Sequence, residues 1–280
     1  MEDLRVWEAL VAVKPSEVSS AMSSEFVHRE ILGKKIHRYG ISASYGLDEA
    51  GVREAIDLGA NYLFWSPVKK YLKTIVKDTV MRDRDRFMLA TGPILAYFGG
   101  SVRRTVEKRL RESGSDYLDV VQVFWAGKMS FLSRSVIDEL VKLRDEGKAR
   151  AIGVSIHDRK RAAKLAAEGP LDFFMIRYNA AHPGAEVDIF PHLPAKKPVI
   201  AAYTATSWRK LLHAPKGWEG PAATAGDCFR FCLTNPNVDV VVSAPKTAAQ
   251  MRENIKALER GPLSDEEMTR MRALGKAVHG

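Results

Sequence analysis

The sequence predicts an α/β protein, a (β/α)8 TIM barrel with an N-terminal β-hairpin before the barrel and an extra C-terminal helix after it. Eight short apolar runs alternate with polar loops and amphipathic segments, which is the rhythm of repeated βα units. Several runs, such as 120–123 and 240–242, are rich in valine without strict polar alternation, as parallel strands covered by helices are. Eight such units fit a closed barrel, whose active site lies at the carboxyl ends of the strands.

Each predicted element has its own signal. Residues 1–28 show weak periodicity and are interpreted as an N-terminal extension, so that a single barrel domain covers 29–280. Two alternating runs flank Gly33 and predict the hairpin over 29–38. Short apolar runs predict the barrel strands at 39–42, 62–65, 87–91, 118–125, 151–155, 173–178, 198–204 and 238–243.

Amphipathic segments between the strands predict the helices, at 49–58, 70–80, 102–112, 133–145, 160–168, 185–192, 225–233 and 248–258. A final helix is predicted over 264–278, where Ser264 suits the N-cap and Glu267 its capping-box partner. A doubly wound open sheet is the alternative fold. Residues 39–46 have too few glycines, wrongly spaced, for the G-x-G-x-x-G turn that such a sheet would usually carry.

The composition excludes several classes of protein. A chain of 280 residues that is 46% hydrophobic and 28% charged is ordinary for a globular protein, and it is not a disordered or fibrous chain. No apolar stretch approaches the roughly 18 residues that span a bilayer, so no membrane association is predicted. Acidic residues within the first five positions do not fit a secretory signal, and a cytoplasmic location is expected.

The net charge of +9 raises the question of a nucleic-acid or anionic partner. Residues 82–86 and 144–148 interleave both signs, so a solvated surface is favoured over a nucleic-acid stripe. Cys228 and Cys232, four residues apart, are interpreted as buried reduced thiols. No nearby ligand completes a metal set, and no metal site is predicted.

The order of six short motifs resembles that of the aldo/keto reductase family, over about nine-tenths of the chain. Each motif is weak alone, whereas six of them in the order of the family are strong support. They are AIDLGANY at 55–62, SDYLDVVQ at 115–122, AIGVS at 151–155, RYN at 177–179, AYT at 202–204 and QMREN at 250–254.

The resemblance implies carbonyl reduction by hydride transfer from NADPH, with a Tyr proton donor supported by Lys and Asp and a His that orients the carbonyl. This chain departs at each of those places. The position of the Asp is Phe64 and that of the Tyr is Lys69, although Tyr71 is an out-of-register candidate proton donor. The Lys is replaced by Gly92 and the His by Phe124.

The resemblance also implies a site for NADP(H). Ser155 is retained at the nicotinamide end, while the following Asn is Ile156 and the Gln that binds the carboxamide is Met175. Tyr203 matches the stacking aromatic, although packing is its ordinary role, and Thr204 keeps a hydroxyl. The remaining expected contacts are Lys246, Thr247, Gln250 and Asn254, which match the segment that holds the 2′-phosphate and adenine.

Several of these residues have a second interpretation. Lys246 and Arg252 are either phosphate contacts or solvated surface bases, and His157 is either a helix-cap residue or a candidate proton donor. His157 and Arg177 are expected at the opening of the barrel, together with several aromatic residues. This composition predicts a site for a small aromatic or anionic ligand. The sequence therefore leaves three hypotheses: an NADP(H)-binding protein with impaired reduction, a reductase with a rebuilt proton donor, and a non-catalytic ligand-binding barrel.

Overall fold

Eight parallel strands close into a barrel in the computed structural model, which describes residues 25–66, 69–127 and 130–279. The chain enters through a hairpin of β1 (His28–Ile31) and β2 (Lys34–His37). The barrel strands are β3 (Tyr39–Ser42), β4 (Tyr62–Phe64), β5 (Met88–Thr91), β6 (Leu118–Ala126), β7 (Ala149–Ile156), β8 (Phe173–Arg177), β9 (Val199–Tyr203) and β10 (Val240–Ser243). They pair in chain order, and β10 closes the barrel against β3, which confirms the predicted fold and all eight strands.

Helices cover the outside of the barrel between successive strands. They are α1 (Glu49–Asp57), α2 (Tyr71–Asp78), α3 (Gly99–Ser113), α4 (Arg134–Asp145), α5 (Arg159–Glu168), α6 (Ala185–Asp188), α7 (Ala225–Thr234), α8 (Ala248–Leu258) and α9 (Asp265–His279). The predicted capping box of α9 is present: the Ser264 hydroxyl accepts the amide of Glu267, whose carboxylate accepts the amide of Ser264. None of the helices in the described ranges is long and apolar enough to cross a membrane.

The prediction of a helix over 185–192 is wrong for its second half. The α-helix ends at Asp188, and a separate 3-10 turn, Phe190–His192, follows it. Pro191 lies within this turn, and a proline disfavours helical geometry at the residue before it and supplies no amide for the helix ladder.

The hairpin turns through Leu32 and Gly33, both with positive φ, at 52° and 73°. Two consecutive left-handed residues make the tight turn that matches the twist of a two-stranded ribbon. Most of the extension predicted over 1–28 lies outside the described residues, so its boundary stays a prediction.

Two apolar cores result from this arrangement. The larger lies between the strands and the surrounding helices, and it includes the buried free thiols Cys228 and Cys232. The smaller fills the barrel interior and includes Ile31 and Ile36 of the hairpin. Because Lys34 of β2 pairs with Asp119 at the start of β6, 2.8 Å away, the hairpin closes the amino end and leaves the carboxyl end for a site.

Candidate active site

The carboxyl ends of the barrel strands present one inward-facing residue each. Phe173 and Met175 of β8 lie in the barrel interior, and alternation along the strand places Arg177 on the same side. The same alternation in the other strands gives a set that we call the rim: Ser42, Phe64, Gly92, Phe124, Ser155, Arg177, Tyr203 and Val242. Arg177 is the one charged residue of the rim.

Two phenylalanines occupy the rim where the family resemblance expects a carboxylate and an imidazole. The rings of Phe64 and Phe124 lie edge to face, with their centroids 5.0 Å apart. This is a favourable aromatic arrangement. Neither side chain carries a proton that it can exchange near neutral pH.

Gly92 lies against the backbone of the neighbouring strand. A Cβ atom built on Gly92 would lie 1.8 Å from the carbonyl oxygen of Gln122. A lysine at this position therefore requires the backbone of one of the two strands to move.

Tyr71, one of the two candidate proton donors, is engaged by a backbone group. Its hydroxyl donates a hydrogen bond to the carbonyl oxygen of Leu47. Partial burial, followed by the charges of Asp48 and Glu49, raises the pKa of Tyr71 above its ordinary value. Both features make the phenol a weaker acid, and the role of Tyr71 as donor stays a prediction.

His157, the other candidate, lies beside Tyr203. The Tyr203 hydroxyl is 2.8 Å from Nε2 of His157, and the two rings meet edge to face at 5.6 Å. Burial raises the pKa of Tyr203 to about 12, against the opposing effects of the Arg177 charge and a hydrogen bond with Ser155. The structure thus brings together Ser155, His157, Arg177 and Tyr203 on β7, β8 and β9.

Two buried polar groups lie near these residues: Gln122, which the sequence did not reveal, and Thr204, which is one of the expected cofactor contacts. Gln122 faces the barrel interior, where its Nε2 lies 4.0 Å from the sulfur of Met175, and its Oε1 has no hydrogen-bond partner in the described residues. The hydroxyl of Thr204 is also buried without a partner there. A polar residue in the otherwise apolar run 120–123 was the available signal for Gln122.

The adjoining sector of the carboxyl end, at β10 and β3, carries the residues expected to hold the phosphate. Thr247 caps α8 by accepting the amide of Gln250, whose side-chain oxygen accepts the amide of Lys246. The Lys246 side chain is exposed, and its ammonium makes no hydrogen bond or ion pair with a described residue. A Cβ atom on Gly46 would lie 2.7 Å from the Lys246 carbonyl oxygen, so the loop after β3 packs directly on this segment.

Two other residues of the same segment are used within the protein. Asn254 is buried and donates a hydrogen bond of 2.9 Å to the Tyr39 hydroxyl. Arg252 pairs with Glu54 of α1 at 2.6 Å. Within the part of the chain that is described, no group of three or more His, Cys, Asp or Glu residues is arranged to hold a metal ion.

A closed α/β barrel with a polar cluster at the carboxyl ends of its strands has the architecture of a TIM-barrel enzyme. The model of the aldo/keto reductase family matches residues 44–208, and the chain belongs to this family. The NADH-specific methylglyoxal reductase of Escherichia coli is 23% identical over 214 residues, 64% of this chain and 65% of the relative. The match therefore spans slightly less than two thirds of that relative's length.

Solved structures of the family have the same fold. An aldo-keto reductase from Bacillus halodurans in its apo form has a TM-score of 0.72 at 20% identity, covering 89% of this chain and 96% of the other. An aldo-keto reductase from Klebsiella pneumoniae in complex with NADPH has a TM-score of 0.69 at 20% identity, covering 86% and 92%. At this level of identity the likeness concerns the fold.

Proposed function

We propose that this chain is an NADP(H)-binding member of the oxidoreductase class in which ordinary carbonyl reduction is impaired. The observation that supports the proposal is the rim itself, where the Phe64–Phe124 contact and the backbone approach at Gly92 lie at positions for which the family resemblance predicts acid-base groups. NADPH, when bound, supplies a hydride. A carbonyl oxygen also needs a proton, and these three positions hold no group that donates one.

The residues at the two ends of the expected cofactor site fit a dinucleotide. At β10, the exposed Lys246 and Thr247 precede the amino-terminal amides of α8, and a cation with helix amides suits a phosphate. At the rim, Ser155, Tyr203, Thr204 and the unpartnered oxygen of Gln122 offer polar groups to an amide. Gln250 and Asn254 support the β10 end of this site indirectly, through the internal hydrogen bonds to the Lys246 amide and the Tyr39 hydroxyl. Support also comes from the Klebsiella pneumoniae structure, which was solved with NADPH.

Titration calorimetry with NADPH, followed by steady-state assays with methylglyoxal and 4-nitrobenzaldehyde, tests both halves of this proposal. We expect binding in the micromolar range or tighter and negligible oxidation of NADPH by either aldehyde. A folded sample that gives no heat at tens of micromolar NADPH contradicts the binding half. Oxidation that depends on the aldehyde contradicts the impairment.

The alternative is an active NADPH-dependent reductase whose proton donor has been rebuilt. The hydrogen bond between His157 and Tyr203 at the rim favours His157 for this role, because an imidazole is a competent acid near neutral pH. If the assay does show turnover, His157→Ala abolishes it under this alternative, and Tyr71→Phe tests the second candidate. Turnover that persists in both variants excludes both donors. A cytoplasmic location and a single domain over 29–280 stay predictions.

A further inference from the structure

Arg177 extends from the last position of β8 into the rim. Its Cα pairs in register with that of Tyr203 on β9, and it continues the inward-facing series of Phe173 and Met175. The side chain is half-buried. A guanidinium is thus held at the opening of the barrel rather than on the outer surface.

This guanidinium makes no hydrogen bond and no ion pair with any residue in the described ranges. Three carboxylates in the segments after β7 and β8 are engaged by other groups. Asp158 accepts the amide of Arg161, Glu186 accepts hydrogen bonds from Tyr178 and Arg272, and Asp188 pairs with Arg159. A half-buried cation that has no counter-ion among the described residues favours the binding of an anion.

Other positive groups act on the same region. Burial first, and then the charges of Arg177, His279, Lys210 and Arg159, lower the pKa of His182 to about 4. The ring of His182 also lies 5.0 Å from that of His279. Arg159 is paired with Asp188, whereas the charges of Arg177 and Lys210 make the sector of β8 and β9 electropositive and favour an anionic ligand over a neutral one.

We infer that Arg177 binds the carboxylate of a small carbonyl compound, so that the ligand class of this site is a 2-oxo acid. A planar guanidinium matches a carboxylate through two parallel hydrogen bonds, which a lysine cannot reproduce. The Tyr203 hydroxyl and His157 lie next to it and suit the adjoining carbonyl oxygen. This inference rests on the proposed function, because it describes what occupies the same rim.

A matched pair of probes isolates the carboxylate. Phenylglyoxylate and its methyl ester share the ring and the ketone and differ in the charge. Calorimetry without cofactor measures both probes on the wild type and on Arg177→Met, Arg177→Lys and Arg134→Met. Arg134, whose side chain is exposed on α4 and pairs with Asp138, is the control for nonspecific attraction. NADPH affinity is measured separately on each protein by fluorescence.

We expect the wild type and Arg134→Met to bind phenylglyoxylate at least about tenfold more tightly than the ester. Arg177→Met removes this preference, Arg177→Lys retains part of it, and NADPH affinity is unchanged in both. Because the guanidinium has no partner among residues 25–66, 69–127 and 130–279, we expect the melting temperature of Arg177→Met not to fall.

The inference is overturned if the wild type binds acid and ester equally or binds neither. It is also overturned if the preference survives in Arg177→Met or if the melting temperature of this variant falls. A loss of NADPH affinity in Arg177→Met also overturns it, by assigning the cation to a cofactor phosphate. NADPH binding without selective binding of the acid contradicts this inference alone. Selective binding of the acid without NADPH binding contradicts the proposed function alone.

Discussion

The rings of Phe64 and Phe124 meet edge to face with their planes at 71° and their centroids 5.0 Å apart, although β5 separates their strands. Neighbouring strands lie about 4.8 Å apart, so two side chains meet across an intervening strand only where that strand leaves space. Gly92, which follows β5, contributes no side chain to this space. Phe64, Gly92 and Phe124, three of the four residues predicted to replace catalytic groups of the family, therefore form one packing unit, and introducing a polar group at one of them does not change the others.

Restoring the carboxylate at β4 tests this packing unit. We expect Phe64→Asp to lower the free energy of unfolding by about 1–3 kcal/mol, because it removes the ring contact and places a charge against Phe124. Phe64→Leu keeps an apolar contact and costs about 1 kcal/mol. Urea unfolding compares the two variants, and aldehyde-dependent NADPH oxidation stays absent in both. An aspartate variant as stable as the leucine variant would show that the rim is more solvated than the contact implies.

A single methyl group at Gly92 tests the close approach of the strands. The added carbon would lie 1.8 Å from the Gln122 carbonyl oxygen, so we expect Gly92→Ala to cost at least about 2 kcal/mol of stability. Gly100 in α3 is the control, since a Cβ there meets only the Phe98 ring at 3.4 Å. Gly100→Ala should be neutral or stabilise the protein by up to about 1 kcal/mol. Equal losses of stability in thermal or urea unfolding contradict this account.

The sequence was sufficient to predict the strands because each barrel strand is a local apolar run bounded by polar loops. The family motifs also predict that Phe64, Gly92 and Phe124 replace catalytic groups, and this assignment stays a prediction. The contact between the two rings was not predictable, because it depends on the stagger of three strands. No local pattern signals such a stagger.

The polar side of the rim was predicted in part. Ser155 and Tyr203 were identified, but the hydrogen bond from Tyr203 to His157 joins residues 46 positions apart, and side-chain geometry decides it. Gln122 was missed for a related reason: its amide faces Met175, 53 positions away, and neither residue marks the other in the sequence. The helix over 185–192 failed for a local reason, because Pro191 lies near its carboxyl end.

The stability of the fold is expected to fall in mild acid because of His37. This side chain is 4% exposed, its Nδ1 accepts the Tyr39 amide, and burial followed by the charge of His28 lowers its pKa from 6.5 to about 4. The unfolded chain then binds a proton that the folded chain does not, so stability is lost as the pH falls from 6.5 towards 4. The loss reaches about 3 kcal/mol at most.

Urea unfolding at several pH values measures this loss. The slope of the free energy of unfolding against pH measures the protons that the chain binds on unfolding. We expect His37→Gln to reduce this slope by up to about 1.4 kcal/mol for each pH unit, which corresponds to one proton. His213 is exposed, and His213→Gln should leave the slope unchanged. A slope that is the same in His37→Gln and the wild type would assign the acid sensitivity to other groups.

The preference for NADPH over NADH is expected to depend on Lys246. Its exposed ammonium has no partner among the described residues, whereas Arg252, six positions further on, pairs with Glu54 at 2.6 Å. A charged hydrogen bond is worth about 1.5–3 kcal/mol, so Lys246→Met should weaken NADPH binding by about tenfold or more. NADH lacks the 2′-phosphate, and its affinity should not change.

Arg252→Met is the matched control and should alter neither affinity by more than about twofold in fluorescence titrations. A wild type that binds NADH as tightly as NADPH would contradict a 2′-phosphate site at Lys246, because the cation would then contribute nothing to the choice of cofactor.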